Sequence, residues 1–292
     1  MIYDNPMSQV ELLWNKLLYG DQPAGWDIAG TKESVSLMNH QKLLDYMKNQ
    51  YVAQNTIVCL AGNIKNSQAI NKVKKIFSPI RATEPLKKAA VLERQTLPEC
   101  LISPRKTDQT HIFLGVRGYN LNNAQKYAQE ILGVVLGGMM SSRLFMEVRE
   151  KLGLAYYVKT DVESNPDTGY LATRAGVENN KVDKAISTIL KEYKKVARQK
   201  LPQAELKKAK EYIKGKMALV LESSDALASF YGVQELLKRE TLTPKEIYAK
   251  IDKVSANDIL KAAKDIFQPN KLNLALVGPF QDKSRFKQIL KI

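Results

Sequence analysis

The spacing of apolar residues changes several times along the chain, and each change marks an element. From Met38 to Tyr51, Leu43, Leu44, Met47 and Tyr51 recur at the three- and four-residue spacing of a helix buried on one face. The run Val58-Cys59-Leu60-Ala61-Gly62 follows, continuously apolar and closed by Gly, which predicts a buried strand. A second amphipathic helix with Ile70 and Val73 comes next. The same plan returns at an offset of 216 residues. Ile259, Leu260, Ala263 and Phe267 take the helix positions, Leu274 to Gly278 the strand, and Phe286 and Ile289 the closing helix. A gapless match of two helices, a strand and a Gly predicts an internal duplication.

The second copy closes a segment that begins near Glu99. The first copy has no matching opening segment, so the chain is expected to start inside its first domain. Residues 1–80 are read as the C-terminal half of that domain and 99–292 as a complete second domain. Residues 81–98, with Pro85, Lys87, Lys88 and Pro98 and no period, are read as a linker.

Within the second segment, Thr110–Val116 is rich in β-branched and aromatic residues and predicts a strand. Asn122–Leu136 predicts a helix broken by Gly137-Gly138. Ser142–Leu152 predicts another, with Ser141 as N-cap and Gly153 just past its end. Ala155–Val162 and Gly169–Val177 predict two strands joined by a turn at Asn165-Pro166-Asp167. Helices are expected at Val182–Arg198, over Ala204–Arg239, and from Thr243-Pro244-Lys245-Glu246, a capping box with Pro at the first helical position. Strands and helices come in blocks rather than in strict alternation, which predicts an α+β fold with a mainly antiparallel sheet and flanking helices.

Composition narrows the function classes. The 292 residues are 44% hydrophobic and 26% charged, as in a globular protein with an ample core. No apolar stretch is long enough to span a bilayer, and the opening residues lack the basic and apolar regions of a signal peptide. The two cysteines, Cys59 and Cys100, exclude a disulfide framework and suit a reducing, cytoplasmic location. The net charge of +15 lies mostly beyond residue 98. Its lysines are spread along helices without interleaved aromatics or a nucleic-acid-binding motif, so they read as a solvated surface, with neither a nucleic-acid nor a membrane partner.

The candidate chemistry is sparse. His40 stands in a helical pattern and His111 in a strand, and neither has a His or Glu at the spacing that places two zinc ligands on one helix face. There is no phosphate-binding loop and no nucleophile elbow. Ser141-Ser142-Arg143-Leu144-Phe145-Met146-Glu147-Val148-Arg149-Glu150-Lys151-Leu152-Gly153-Leu154-Ala155-Tyr156 resembles the signature of the second domain of insulinase/pitrilysin-type zinc peptidases, the branch that includes the mitochondrial processing peptidases. Leu17–Glu33 resembles the stretch after that family's zinc site, and Tyr51–Asn63 the strand that follows.

The resemblance implies two homologous α/β-roll domains facing each other like a clam shell, the first truncated here. It implies zinc held upstream of Met1 by an H-x-x-E-H helix and a later Glu. No such motif occurs in this chain, and Glu11 and Glu33 match no ligand, so no metal or catalytic residue and no cofactor is expected within it. It also implies that Arg149 and Tyr156 reach bound peptide. Each has a plain structural reading as well: a cation in the last turn of a helix, and a tyrosine opening a strand. The expected function is the substrate-binding, C-terminal part of a zinc metalloendopeptidase, inactive alone, acting on peptide substrates together with a zinc-bearing homologous domain or subunit. The alternative is a non-catalytic, peptide-binding subunit of a two-chain peptidase. Self-association is expected from the uncovered apolar faces of residues 1–80.

Overall fold

The computed structural model describes residues 4–292. Four helices open it: α1 (Pro6–Tyr19), α2 (Lys32–Ser36), α3 (His40–Gln50) and α4 (Asn66–Phe77). Strands β1 (Glu99–Pro104) and β2 (Gln109–Arg117) precede α5 (Lys126–Gly133), and β3 (Ala155–Ser164) and β4 (Gly169–Glu178) follow it. Then come α6 (Val182–Arg198), α7 (Gln203–Val220), α8 (Ser224–Lys238), α9 (Pro244–Lys253), α10 (Ala256–Ile266), β5 (Leu272–Gly278) and α11 (Lys283–Ile289). The chain divides into two compact units. One takes the residues up to Trp26 with Ala90–Ile213 and Ala249–Ile292, and the other Asp27–Ala89 with Lys214–Tyr248.

The first unit is built on a five-stranded sheet in the order β1-β5-β2-β4-β3, where only β1 and β5 run parallel. The fold is therefore the expected α+β type with a mostly antiparallel sheet. β5 lies between two neighbours and is buried along its whole length, which explains its unbroken apolar run. Alternation sends Phe113, Tyr170, Ala172, Ala275 and Val277 to one face, where Val10, Trp14, Leu18 and Tyr19 of α1 cover them. Thr173 points to the other face and bonds the Tyr193 hydroxyl of α6 at 2.7 Å, and that hydroxyl donates to Leu114 O at 3.0 Å. Val182, Ala185, Ile186, Ile189, Tyr193 and Val196 form the buried stripe of α6 at helical spacing. Residues 90–98, aperiodic in sequence, are pinned to this unit. Gln95 donates to Leu272 O and Leu97 O, both at 2.9 Å, and accepts from Arg117 Nε and Asn273 Nδ2.

The second unit is helical, and here one expectation fails. Val58–Gly62 is not a buried strand: it joins no ladder, and Val58 and Leu60 are 40% and 55% exposed. Its counterpart β5 draws its hydrogen bonds from β1 and β2, and no described residue offers the same to the first copy. The helix and turn that precede this segment do repeat, whereas the closing helices differ in length, α4 having 12 residues and α11 7. α3 and α10 match at an offset of 216, as do the 3-10 turns Ala53–Asn55 and Pro269–Lys271. Both helices end alike, with Tyr51 at φ −88°, ψ 71° and Phe267 at φ −81°, ψ 68°.

Three other elements differ from expectation. The first helix of the second segment begins at Lys126 rather than Asn122, because Asn120 and Asn123 cap local turns through their side chains. It then widens into a π-turn over Val134–Gly138. A Cβ on Gly137 would lie 2.3 Å from Thr160 Oγ1, so this turn approaches β3 only because residue 137 is glycine. Phe145–Lys151, expected as an α-helix, is wound as a π-helix, with Leu152 N–H donating to Glu147 O five residues back.

Candidate substrate-binding site

The signature segment is held from below. Leu144 and Val148 are fully buried, and Arg143 grips Glu205 of α7 through two bonds of 2.8 and 2.7 Å. That pairing holds the guanidinium above its ordinary pKa. Lys151 donates to Glu147 one turn earlier at 3.0 Å and keeps the Glu147 carboxyl below the usual range. The helix stops at Leu152. Gly153 follows at φ 53°, the left-handed position that favours glycine, as its spacing predicted. Two residues later the chain enters β3, which packs against the π-helix.

Arg149 stands in the last turn of this helix and Tyr156 just inside β3, with the Gly153 turn between them. The Arg149 side chain is 44% exposed. Its Cζ lies 4.8 Å from the centre of the Phe145 ring, and its Nε is 4.0 Å from Glu150. Its guanidinium makes no hydrogen bond with the described residues, which leaves its fork open to solvent. Tyr156 is 58% exposed and is the extra residue of a β-bulge: Ala155 pairs with Val177 and Tyr157 with Gly176, leaving Tyr156 without a ladder partner. Both side chains are therefore about half exposed. The family resemblance named both residues as candidates; it gave no sign of the bulge that leaves Tyr156 without a ladder partner.

Next to it is a contact that periodicity does not reveal. Tyr157 reaches across β4 and meets His111 Nδ1 of β2 at 3.0 Å. Burial lowers the pKa of His111 and pushes the Tyr157 phenol up to about 12.

A cleft of about 460 Å³ lined by Tyr19, Gln22, Arg94, Gln95 and Arg117 contains neither Arg149 nor Tyr156. Its buried Arg117 is occupied by Leu18 O, Gln95 and, at 3.7 Å, Glu93. It is part of the framework that fixes residues 90–98.

His40 is exposed on α3 and His111 is engaged by Tyr157. Among the described residues no three His, Cys, Asp or Glu side chains stand together as a ligand set. The described residues therefore offer no ligand set that fits a zinc ion.

A family model of the peptidase M16 inactive domain matches residues 38–213. An uncharacterized zinc protease of Bacillus subtilis, YmxG, is 34% identical over 280 residues, covering 96% of this chain and 67% of that protein. An uncharacterized zinc protease of Streptomyces coelicolor is 30% identical over 292 residues, covering 97% and 63%. The chain thus spans about two thirds of the length of these relatives. The crystal structure of a peptidase M16 inactive domain from Pseudomonas fluorescens superposes with a TM-score of 0.85 over 96% of this chain and 67% of its own, at 19% identity. A chain of Complex III2 from Candida albicans superposes at 0.87 over 100% and 72%, at 20% identity. At such identities the likeness is one of fold. Taken with the signature at 141–156, these matches show that the chain belongs to the M16 peptidase family, in the part that carries its inactive domain.

Proposed function

We propose that this chain is the substrate-holding, non-catalytic part of a zinc metalloendopeptidase. Arg149 and Tyr156 contact an unfolded peptide whose scissile bond is presented to zinc on a homologous domain or subunit. The observation that carries this reading is that the signature holds a half-exposed Arg149 guanidinium with no hydrogen bond to the described residues and, seven residues on, an exposed tyrosine at a bulge of the edge strand β3. A guanidinium fork donates to a peptide carbonyl or carboxylate. A phenol donates to a carbonyl oxygen and holds it more strongly as that oxygen gains charge. The relatives' names as zinc proteases, and their extra third of sequence, support a zinc-bearing portion outside residues 1–292.

On this reading residues 1–80 complete a first domain, 81–98 link it, and 99–292 form the second. Leu43, Met47, Tyr51, Leu60 and Ile70, each about half exposed, give residues 1–80 an apolar surface that docks on a partner or a second copy. The free cysteines suit a cytoplasmic location, and no described helix is long and apolar enough to cross a membrane.

The test is fluorescence anisotropy with a labelled unstructured peptide. Arg149→Ala and Tyr156→Phe are expected to weaken binding by roughly tenfold each, the worth of a hydrogen bond to a charged or polar group. Unchanged affinity in both variants would overturn the site. Chelator-sensitive cleavage by the purified chain would overturn its non-catalytic role.

A further inference from the structure

We infer that His111, Gly176 and Tyr157 form a positioning device that aims Tyr156, an inference that rests on Tyr156 being a peptide-contacting residue. The three lie in one row across the sheet: His111 of β2 pairs with Gly176 of β4, which pairs with Tyr157 of β3. Alternate strands stand about 10 Å apart, so a side chain on β3 reaches β2 only by lying flat over β4. Tyrosine is long enough, and its hydroxyl closes the gap to His111 Nδ1 at 3.0 Å. The ring can lie there only because residue 176 has no side chain: a Cβ on Gly176 would fall 2.5 Å from Tyr157 Cε1.

The row ends at the bulge. From Tyr157 to Ser164 the β3–β4 ladder is regular, and it slips between Ala155 and Tyr157. A bulge residue has no ladder partner to fix its direction, so Tyr156 takes its orientation from its neighbours. Ala155 is anchored by burial, at 8% exposure, and Tyr157 by its bond to His111. The edge strand is thereby tied to an interior strand at the residue beside the exposed phenol. A side chain held in place before binding gives up less rotamer entropy when it meets a ligand. Tyr157 and His111 act through Tyr156 and need not touch peptide.

The experiment is a double-mutant cycle on the full chain, read by anisotropy with the same labelled peptide. Tyr157→Phe is expected to weaken binding roughly 3- to 10-fold, the cost of leaving one side chain to be ordered on binding. In a Tyr156→Phe background it should cost less than twofold. His111→Gln, which can still accept from Tyr157, should stay within about twofold of the parent while His111→Ala falls with Tyr157→Phe. Losses that simply add in the cycle, or a Gln variant no better than Ala, overturn the inference. A second readout needs no peptide: Tyr157→Phe should shift and broaden the Tyr156 ring signals in NMR. If those signals do not move, the positioning role fails whatever the peptide data show. If they move but Tyr156→Phe leaves affinity unchanged, the peptide-binding reading has failed while the mechanical link stands.

Discussion

The indole of Trp14 lies against the ring of Phe113, centroids 4.7 Å apart and planes 21° from parallel, and meets Tyr170 edge-on at 5.6 Å. This aromatic cluster fastens α1 to β2 and β4, whose Phe113 and Tyr170 stand 99 and 156 residues further along the chain. Trp14→Ala should cost about 3–5 kcal/mol, the usual loss for a large buried aromatic. Urea denaturation followed by circular dichroism measures it. A loss below about 1 kcal/mol would mean that α1 does not rest on the sheet. The other tryptophan, Trp26, is 60% exposed, so acrylamide should quench its emission and leave that of Trp14.

His111 sets a pH dependence with a definite sign. Its folded pKa lies below the ordinary 6.5 because burial disfavours the imidazolium. The unfolded chain therefore binds the proton first, and stability falls as pH drops from about 6.5 toward the lowered folded value. Subtracting the His111→Gln profile isolates this contribution from that of Glu163, whose raised carboxyl pKa pulls the other way. The difference curve should decline on acidification below 6.5. A flat difference would show that His111 is hydrated.

Arg143 and Glu205 are the strongest pair beneath the signature helix, with both side chains about four-fifths buried. A double-mutant cycle with Arg143→Met and Glu205→Gln should give a coupling energy of about 1–3 kcal/mol. The single variants should each cost more than the double, because each leaves a largely buried group unpaired. Equal and additive losses would place the pair in solvent.

The two thiols should behave differently. Cys100 is 4% exposed and its thiol is pushed up to about 12 by burial, whereas Cys59 is partly open. Native protein should take up maleimide at Cys59 alone, and denatured protein at both, as mass spectrometry would show. Rapid labelling of Cys100 in the native state would mean that β1 is not seated at the sheet edge.

Local signals carried most of what could be read from sequence. The capping box at Thr243 forms as expected, with Thr243 N–H donating to Glu246 at 2.7 Å and Glu246 N–H to Thr243 Oγ1 at 3.3 Å. The limits of α6 and the Gly153 turn were legible for the same reason: their hydrogen bonds close within a few residues. What escaped depends on partners distant in sequence. β1 becomes a strand by pairing with β5, some 170 residues away. The bulge at Tyr156 arises from the register of β3 on β4, and the His111–Tyr157 bond needs three strands in the right order. Arg149 and Tyr156 were named as candidates through the family resemblance of residues 141–156. Nothing in that resemblance announced that one would be open to solvent or the other lifted from its ladder.

The duplicated segment separates two kinds of structural information. In residues 40–55 and 256–271 the same pattern yields the same helix, cap and turn, since a helix carries its hydrogen-bond partners within itself. In 56–62 and 272–278 the same pattern yields an unpaired, partly exposed segment in one place and an interior strand of a sheet in the other. Strand identity is thus a property lent by neighbours. Amide protons at 57–61 should exchange with solvent far faster than those at 274–277, and RT times the logarithm of the two rates' ratio, each corrected for its intrinsic rate, measures the protection that flanking strands confer.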